Sequence, residues 1–216
     1  ITGTGGGKSG AGTNNDGVIV YGGSTVKTAS GNLTLIGTAG QNGSSEGIAI
    51  NDANTTMGNA ITQLGDINLR ANSMSFASLG SDRILGKGNV VIEPLTPNTT
   101  LGVGTGSGSL SLANSLFSGG TRVFADGFAN IILGSANTGN ITVGGANTFA
   151  DNVSLVTGGN LELILGSTVT TTQASGNLVL AATGNFLNRT TGTALTAPGR
   201  WLVYSAAPTN DVFGTL

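Results

Sequence analysis

Three carboxylates are the residues best suited to acid-base chemistry. Asp126, Asp151 and Glu162 lie in different repeat units of the sequence, and a glycosidase needs two such groups flanking one sugar linkage. No dense group of Asp, Arg and Lys surrounds any of the three. We therefore expect no catalytic residue and no enzyme activity. A carbohydrate-binding or carbohydrate-active domain is the alternative.

Four other aspartates stand beside predicted turns and offer oxygen ligands for calcium. Their positions suit corner capping better, because the Gly-Gly-x-Gly-x-Asp repeat of calcium-binding solenoids is absent. We predict no metal ligand, and the sequence leaves calcium binding open. These aspartates are Asp16, Asp52, Asp66 and Asp82.

The segment Gly5-Gly6-Gly7-Lys8-Ser9-Gly10 ends like a phosphate-binding loop. Thr2, however, occupies the place of the first glycine of that pattern. A phosphate-binding loop lies between a strand and a helix. The sequence predicts neither a strand before this segment nor a helix after it. We interpret residues 3–15 as a Gly-rich loop or insertion and expect no cofactor.

Two aromatic residues near the end of the chain are speculative glycan contacts. Trp201 is the only Trp and Tyr204 is one of two Tyr, and exposed aromatic rings can stack on sugars. Their spacing on a strand places one ring inward and the other outward. Packing in the terminal coil is the favoured interpretation.

Seven Asn-x-Ser/Thr sequons offer glycosylation sites, although the Asn-rich and Thr-rich composition explains most of them. Asn32, Asn98 and Asn188 are the speculative choices. The sequons begin at Asn32, Asn42, Asn54, Asn98, Asn140, Asn152 and Asn188.

The composition excludes many functions. The chain of 216 residues has no His and no Cys, so catalytic Ser-His-Asp or Cys-His groups and thiolate or imidazole zinc sites are impossible within it. Its 8 basic residues and net charge of −2 provide no surface for nucleic acid. No apolar run is long enough for membrane insertion, and no initiator Met is present. We expect a piece of a longer protein.

Gly, Thr, Asn and Ser make up half of the chain, and these residues disfavour helix interiors. Leu, Ile, Val and Phe together supply 56 residues, enough apolar side chain to expect a folded chain. The composition thus predicts an all-β protein.

One short motif organises the whole sequence. A small residue or turn former, often Gly-Asn, precedes an apolar-x-apolar triplet that predicts a strand with one buried face. We expect the Gly-Asn pair to supply positive φ angles at corners. The twelve occurrences are residues 17–20, 31–35, 47–50, 65–69, 88–92, 108–112, 130–133, 139–143, 151–155, 159–163, 176–180 and 200–204.

A parallel β-helix is the architecture that fits this repeat best. Coils of roughly 20 residues give about ten coils, and the strand spacing gives a rod of about 50 Å. Residues 1–216 are then one shaft segment of a longer solenoid, and residues 199–216 form a terminal coil that leads into further protein. The alternative is a β-sandwich or barrel.

From about residue 88 to the end, the chain contains an unusual ordered set of segments. They are Ile92-Glu93-Pro94, Thr100 to Gly104, Gly108 to Leu112, Ala125 to Gly134, Gly139 to Val143, and Gly199 to Ala206 with Asp211, Phe213 and Gly214. In these segments the sequence resembles the shaft of large filamentous-haemagglutinin-type bacterial exoproteins. It departs from them in lacking Asn-Pro-Asn motifs and any Arg-Gly-Asp tripeptide.

The resemblance implies a right-handed parallel β-helix that a partner transporter secretes across the bacterial outer membrane. It also implies a role in cell adhesion or biofilm cohesion, with the chain outside the cell or on its surface. We expect a structural, non-catalytic shaft that contacts adjoining coils of its parent chain. Further candidate partners are other copies of the shaft, through lateral self-association into fibres, and surface glycans.

Overall fold

The computed structural model describes residues 1–6, 15–41, 45–77 and 79–216. Of the predicted Gly-rich loop 3–15, residues 7–14, with Lys8, lie outside the described residues. The start of this prediction is wrong, because Gly3 and Thr4 belong to a strand, Thr2–Thr4, which precedes the Gly-rich segment. The described chain is almost entirely β, with 22 strands and two short 3₁₀ segments, Asn114–Leu116 and Pro208–Asn210. Its helical segments are far too short to cross a lipid bilayer.

Eight strands form the largest sheet, sheet I, and every pairing in it is parallel. In spatial order they are β1 (Thr2–Thr4), β4 (Leu33–Thr38), β7 (Ile67–Arg70), β10 (Asn89–Glu93), β13 (Asn130–Ser135), β16 (Val153–Thr157), β19 (Leu178–Ala182) and β22 (Trp201–Tyr204).

Four smaller parallel sheets hold the remaining strands. Sheet II contains β12 (Leu110–Leu112), β11 (Leu101–Gly104), β14 (Ile141–Gly144), β17 (Leu161–Leu163) and β20 (Phe186–Asn188). Sheet III contains β2 (Val18–Val20), β5 (Ile48–Ile50) and β8 (Met74–Ser75). Sheet IV contains β3 (Thr25–Val26), β6 (Thr56–Gly58) and β9 (Ile84–Leu85), and sheet V contains β15 (Ala146–Phe149), β18 (Thr168–Thr171) and β21 (Leu195–Thr196).

The expectation of an all-β chain with parallel strands is confirmed. The stacked sheets are compatible with a parallel β-helix or another solenoid. A β-sandwich is built from antiparallel strands, and the strand pairings found among the described residues are parallel.

Two apolar columns run through the inner face of sheet I. Their members are buried from β4 to β19, so like side chains stack on like along the whole sheet. Each fully buried large side chain contributes about 1.5–3 kcal/mol. One column is Leu33, Ile67, Val90, Ile131, Val153, Leu178 and Trp201, and the other is Leu35, Leu69, Ile92, Leu133, Leu155, Leu180 and Val203.

All twelve predicted motifs form strands, but only some consecutive motifs stack on one another, as 65–69 and 88–92 do. The motif at 130–133 pairs with that at 151–155 and skips the motif at 139–143, which belongs to sheet II. In sheet I, paired residues lie between 22 positions apart, as Ile131 and Val153 do, and 41 apart, as Val90 and Ile131 do. A uniform turn of 20 residues is therefore too short for this sheet, which has eight strands where ten coils were expected.

The motif glycines do not adopt positive φ angles. Their role is to allow the backbones of neighbouring turns to approach closely. None of these glycines belongs to the residues with positive φ in the described chain. A Cβ on Gly65 would lie 2.4 Å from the carbonyl carbon of Gly31, and one on Gly88 would lie 2.6 Å from that of Gly65. Any larger residue would therefore collide with backbone of the preceding turn.

The motif asparagines act through their side chains, which also corrects the positive-φ expectation. Asn32 Oδ1 accepts a hydrogen bond from Asp66 N at 2.9 Å, and Asp66 Oδ1 accepts one from Asn89 N at 2.8 Å. These acceptors satisfy backbone N–H groups at corners, where no strand partner is available. The same bond joins Asn140 to Asn160, Asn160 to Asn185, and Asn152 to Asn177.

We expect Gly65→Ala to lower the free energy of unfolding by about 1–3 kcal/mol, because the new methyl group overpacks against backbone that cannot move aside. Urea unfolding measures the effect. Gly31→Ala is the matched control, since a Cβ at Gly31 meets nothing within 4 Å. Equal effects of the two substitutions would show that close stacking is not the reason for glycine at position 65.

Candidate functional site

The structure brings two of the three candidate carboxylates together. Asp126 and Asp151 belong to successive turns, and Gly127 N donates a hydrogen bond to Asp151 Oδ1 at 2.9 Å. Glu162 lies on β17 of sheet II and pairs with Arg189, whose Nε is 2.8 Å from Glu162 Oε1. Among the residues that the structure describes, no three carboxylates converge on one point.

Asp151 is buried, with 1% of its surface exposed, whereas Asp126 is exposed. Gly127 has a φ of 117°, a backbone conformation that favours glycine and that aims its N–H at the carboxylate. The Thr171 hydroxyl donates to the Asp151 backbone carbonyl at 2.7 Å. The other carboxylate oxygen, Asp151 Oδ2, is buried without a hydrogen-bond partner among the described residues.

The pKa of Asp151 rises from 3.8 to about 6, chiefly because burial disfavours the charged carboxylate. Hydrogen bonds from the backbone of Gly127 and Phe128 oppose this increase in pKa, whereas the negative charge of Asp126 contributes to it. Lys87 also approaches this corner, since its Nζ would lie 3.1 Å from a Cβ on Gly127. The ionised form of Asp151 is therefore costly in this corner.

The four turn aspartates have local partners. Asp16 Oδ1 accepts from Glu46 N at 2.7 Å, Asp52 Oδ1 accepts from Asn54 N at 3.1 Å, and Asp82 Oδ1 pairs with Arg122 Nε at 2.9 Å. Asp66 carries the corner bond to Asn89 described above. All four stabilise corners, which is the use that the sequence favoured.

The two aromatic residues of β22 lie on opposite faces, as their spacing predicts. Trp201 pairs with buried Leu178 and continues an inner column, with 41% of its surface exposed. Tyr204 pairs with Ala181 on the outer face and is 56% exposed. They do not share one site, and only Tyr204 shares its face with the groove described next.

A groove of about 270 Å³ crosses the outer face of sheet I near β22. Arg200 is the one charged residue in its lining, and Asn130 and Asn177 supply amide groups. The Arg200 guanidinium takes no part in the ion pairs or side-chain hydrogen bonds of the described chain. Val179 and Leu202 form an apolar floor, so the groove can accept a ligand that combines an anionic group with hydroxyls.

The speculative glycosylation sites have different surroundings. Asn32 and Asn98 are exposed. Asn188 is 2% exposed, and its Nδ2 donates to the carbonyls of Phe213 and Thr215 at 2.8 and 3.0 Å. A glycan on Asn188 would remove at least one of these two bonds, because it replaces one of the two hydrogens on Nδ2.

Sequence reasoning missed the Asp126–Asp151 pair and the Arg200 groove. Both arise from stacking of segments that are more than twenty residues apart, and the sequence shows no spacing that brings them together. Comparisons with known proteins add no assignment: no family model, no curated protein and no solved structure matches the chain.

We expect the stability of the wild-type protein to fall as pH rises from 4 to 6. In this range the folded state holds a proton on Asp151 that the unfolded chain has lost, so folding is favoured at the acidic end. The difference between 3.8 and about 6 corresponds to about 3 kcal/mol.

Thermal unfolding between pH 4 and pH 7, in buffer with EDTA to remove divalent cations, measures this dependence. Asp151→Asn keeps an acceptor for Gly127 N, and its stability should not fall as pH rises. The stability of Asp52→Asn should fall as pH rises, as that of the wild type does. Parallel curves for Asp151→Asn and the wild type would contradict the assignment to Asp151.

Proposed function

We propose that this chain is a rigid, non-catalytic shaft segment of a large bacterial surface or secreted adhesin. The observation that carries the proposal is sheet I, whose eight parallel strands stack two unbroken apolar columns. A structure of this kind resists bending because each repeat packs on the next, and in sheet I each strand is hydrogen-bonded to the next from β1 to β22. Its function is to hold another part of the adhesin at a distance from the cell.

In this proposal the five sheets are the faces of one right-handed parallel β-helix. Parallel strands joined by crossovers within one sheet are right-handed in nearly all proteins, which supports that hand. The likeness of residues 88–216 to filamentous-haemagglutinin-type shafts supports secretion through an outer-membrane transporter. The scarcity of charge, 8% of residues, suits lateral association of shafts into fibres or biofilm matrix.

The shaft proposal predicts a fixed distance between the two ends of sheet I. The chain has no Cys, so Thr38→Cys and Tyr204→Cys allow two spin labels to be attached on exposed positions of β4 and β22. Six strand spacings separate these strands, which corresponds to about 29 Å between their backbones. Pulsed dipolar spectroscopy should give one narrow distance distribution at this value, after allowance for the length of the labels. A broad or multiple distribution would contradict a stiff spacer.

A carbohydrate-binding function is the second candidate, and the Arg200 groove favours it. An unpaired guanidinium can form two hydrogen bonds with a sugar carboxylate, and the asparagine amides can bind hydroxyls. Tyr204, exposed on the same face, offers a ring for stacking. The ligand class that fits is a saccharide bearing a carboxylate.

For this candidate we expect binding to acidic saccharides on a glycan array and at least a tenfold loss of affinity in Arg200→Ala, which removes the charge-assisted hydrogen bonds. Lys27→Ala removes an exposed cation from the first strands, far along the stack from the groove, and should bind as the wild type does. Failure of the wild type to bind, or equal binding by Arg200→Ala, would remove the second candidate and leave the shaft proposal unaffected.

A further inference from the structure

At the corner that holds Asp126 and Asp151, the described chain leaves one buried carboxylate oxygen without a hydrogen-bond donor. Asp151 is 1% exposed, and its Oδ2 has no hydrogen-bond donor. A buried carboxylate oxygen without a partner is costly. The carboxylate of Asp126 lies beside it and adds a second negative charge.

The neighbouring polar groups leave Oδ2 without a donor. Gly127 N donates to Oδ1 of Asp151, and the Thr171 hydroxyl donates to its backbone carbonyl. Lys87 approaches Gly127 but takes part in none of the three ion pairs found among the described residues. Oδ2 is therefore buried near the Asp126 carboxylate without a hydrogen-bond donor among the described residues.

We propose that Asp126 and Asp151 together bind a hard divalent cation, with Asp151 Oδ2 and the Asp126 carboxylate as ligands. Ca²⁺ and Mg²⁺ prefer oxygen ligands and tolerate several bound waters. Asp126 is exposed, so its side chain can turn to admit the ion while water completes the coordination from the solvent side.

Binding at this corner would link two turns of the stack. Asp126 belongs to the segment that leads into β13, and Asp151 belongs to the segment that leads into β16, its partner in sheet I. A cation that binds the folded chain alone stabilises it in proportion to its concentration relative to Kd. With two carboxylates and water as ligands, we expect a Kd in the range of about 0.1–1 mM that is typical of extracellular calcium modules.

The test is thermal unfolding of the full chain, freed of metal with EDTA and dialysed, during titration with CaCl₂ or MgCl₂ at pH 7.5. Isothermal titration calorimetry on the same samples gives the stoichiometry. We expect Tm to rise saturably with one of the two cations and one ion to bind per chain.

Asp151→Asn and Asp126→Asn should each weaken binding at least tenfold and abolish the rise in Tm. Asp52→Asn, another turn aspartate, should behave as the wild type does. If Asp151→Asn fails to fold, Asp126→Asn still tests cation binding, because the Asp126 side chain is exposed and its substitution should not prevent folding. The proposal is overturned if neither cation raises Tm of the wild type, or if the rise persists in Asp126→Asn.

Discussion

The structure depends on one constraint: each strand of sheet I must place its apolar residues directly above those of the strand before it. Leu35, Leu69 and Ile92 begin one of the two columns that satisfy this constraint, and both columns stay buried as far as β19. Register in a sheet with one buried face cannot slip by one residue without turning the apolar side chains outward. The corners therefore have to absorb every difference in turn length, from 22 to 41 residues.

Corners fulfil that role through stacking of small and amide-bearing residues. Gly65 and Gly88 let successive turns approach until backbone meets backbone. Asn32 and Asp66 accept the N–H groups that the corner leaves unpaired. The Gly-Asn pair is thus a device for joining one turn to the next, and this explains why it recurs with the strands.

Charged residues are few, and six of them form three ion pairs between neighbouring turns of the described chain. Arg70 pairs with Glu93 at 2.7 Å, in strands β7 and β10 that are hydrogen-bonded to each other. Arg189 and Arg122 also pair with carboxylates across turns. At two places the described chain leaves like charges together or a charge unpaired: the carboxylates of Asp126 and Asp151 lie together, and the Arg200 guanidinium forms no ion pair. A ligand of opposite charge would contribute most at these two places.

The sequence by itself determined the all-β class and twelve of the 22 strands of the described chain. Its apolar-x-apolar triplets identified these twelve, because period-2 alternation is a local property that each short segment carries alone. It also predicted that Trp201 and Tyr204 face opposite sides. Two-residue strands such as Thr25–Val26 were not predicted, since two residues carry no period, and four-residue strands such as Thr168–Thr171, which lack the apolar pair of the motif, were not predicted either.

Only the tertiary structure decided which strand stacks on which. Pairing between β13 and β16 skips a motif, and no local pattern records that choice, because it depends on how the whole turn closes. The same closure brings Asp126 against Asp151 and leaves Glu162 with Arg189. Strand identity is encoded in neighbouring residues, whereas a site is made by residues a full turn apart, and the length of that turn is set by the packing of the whole stack.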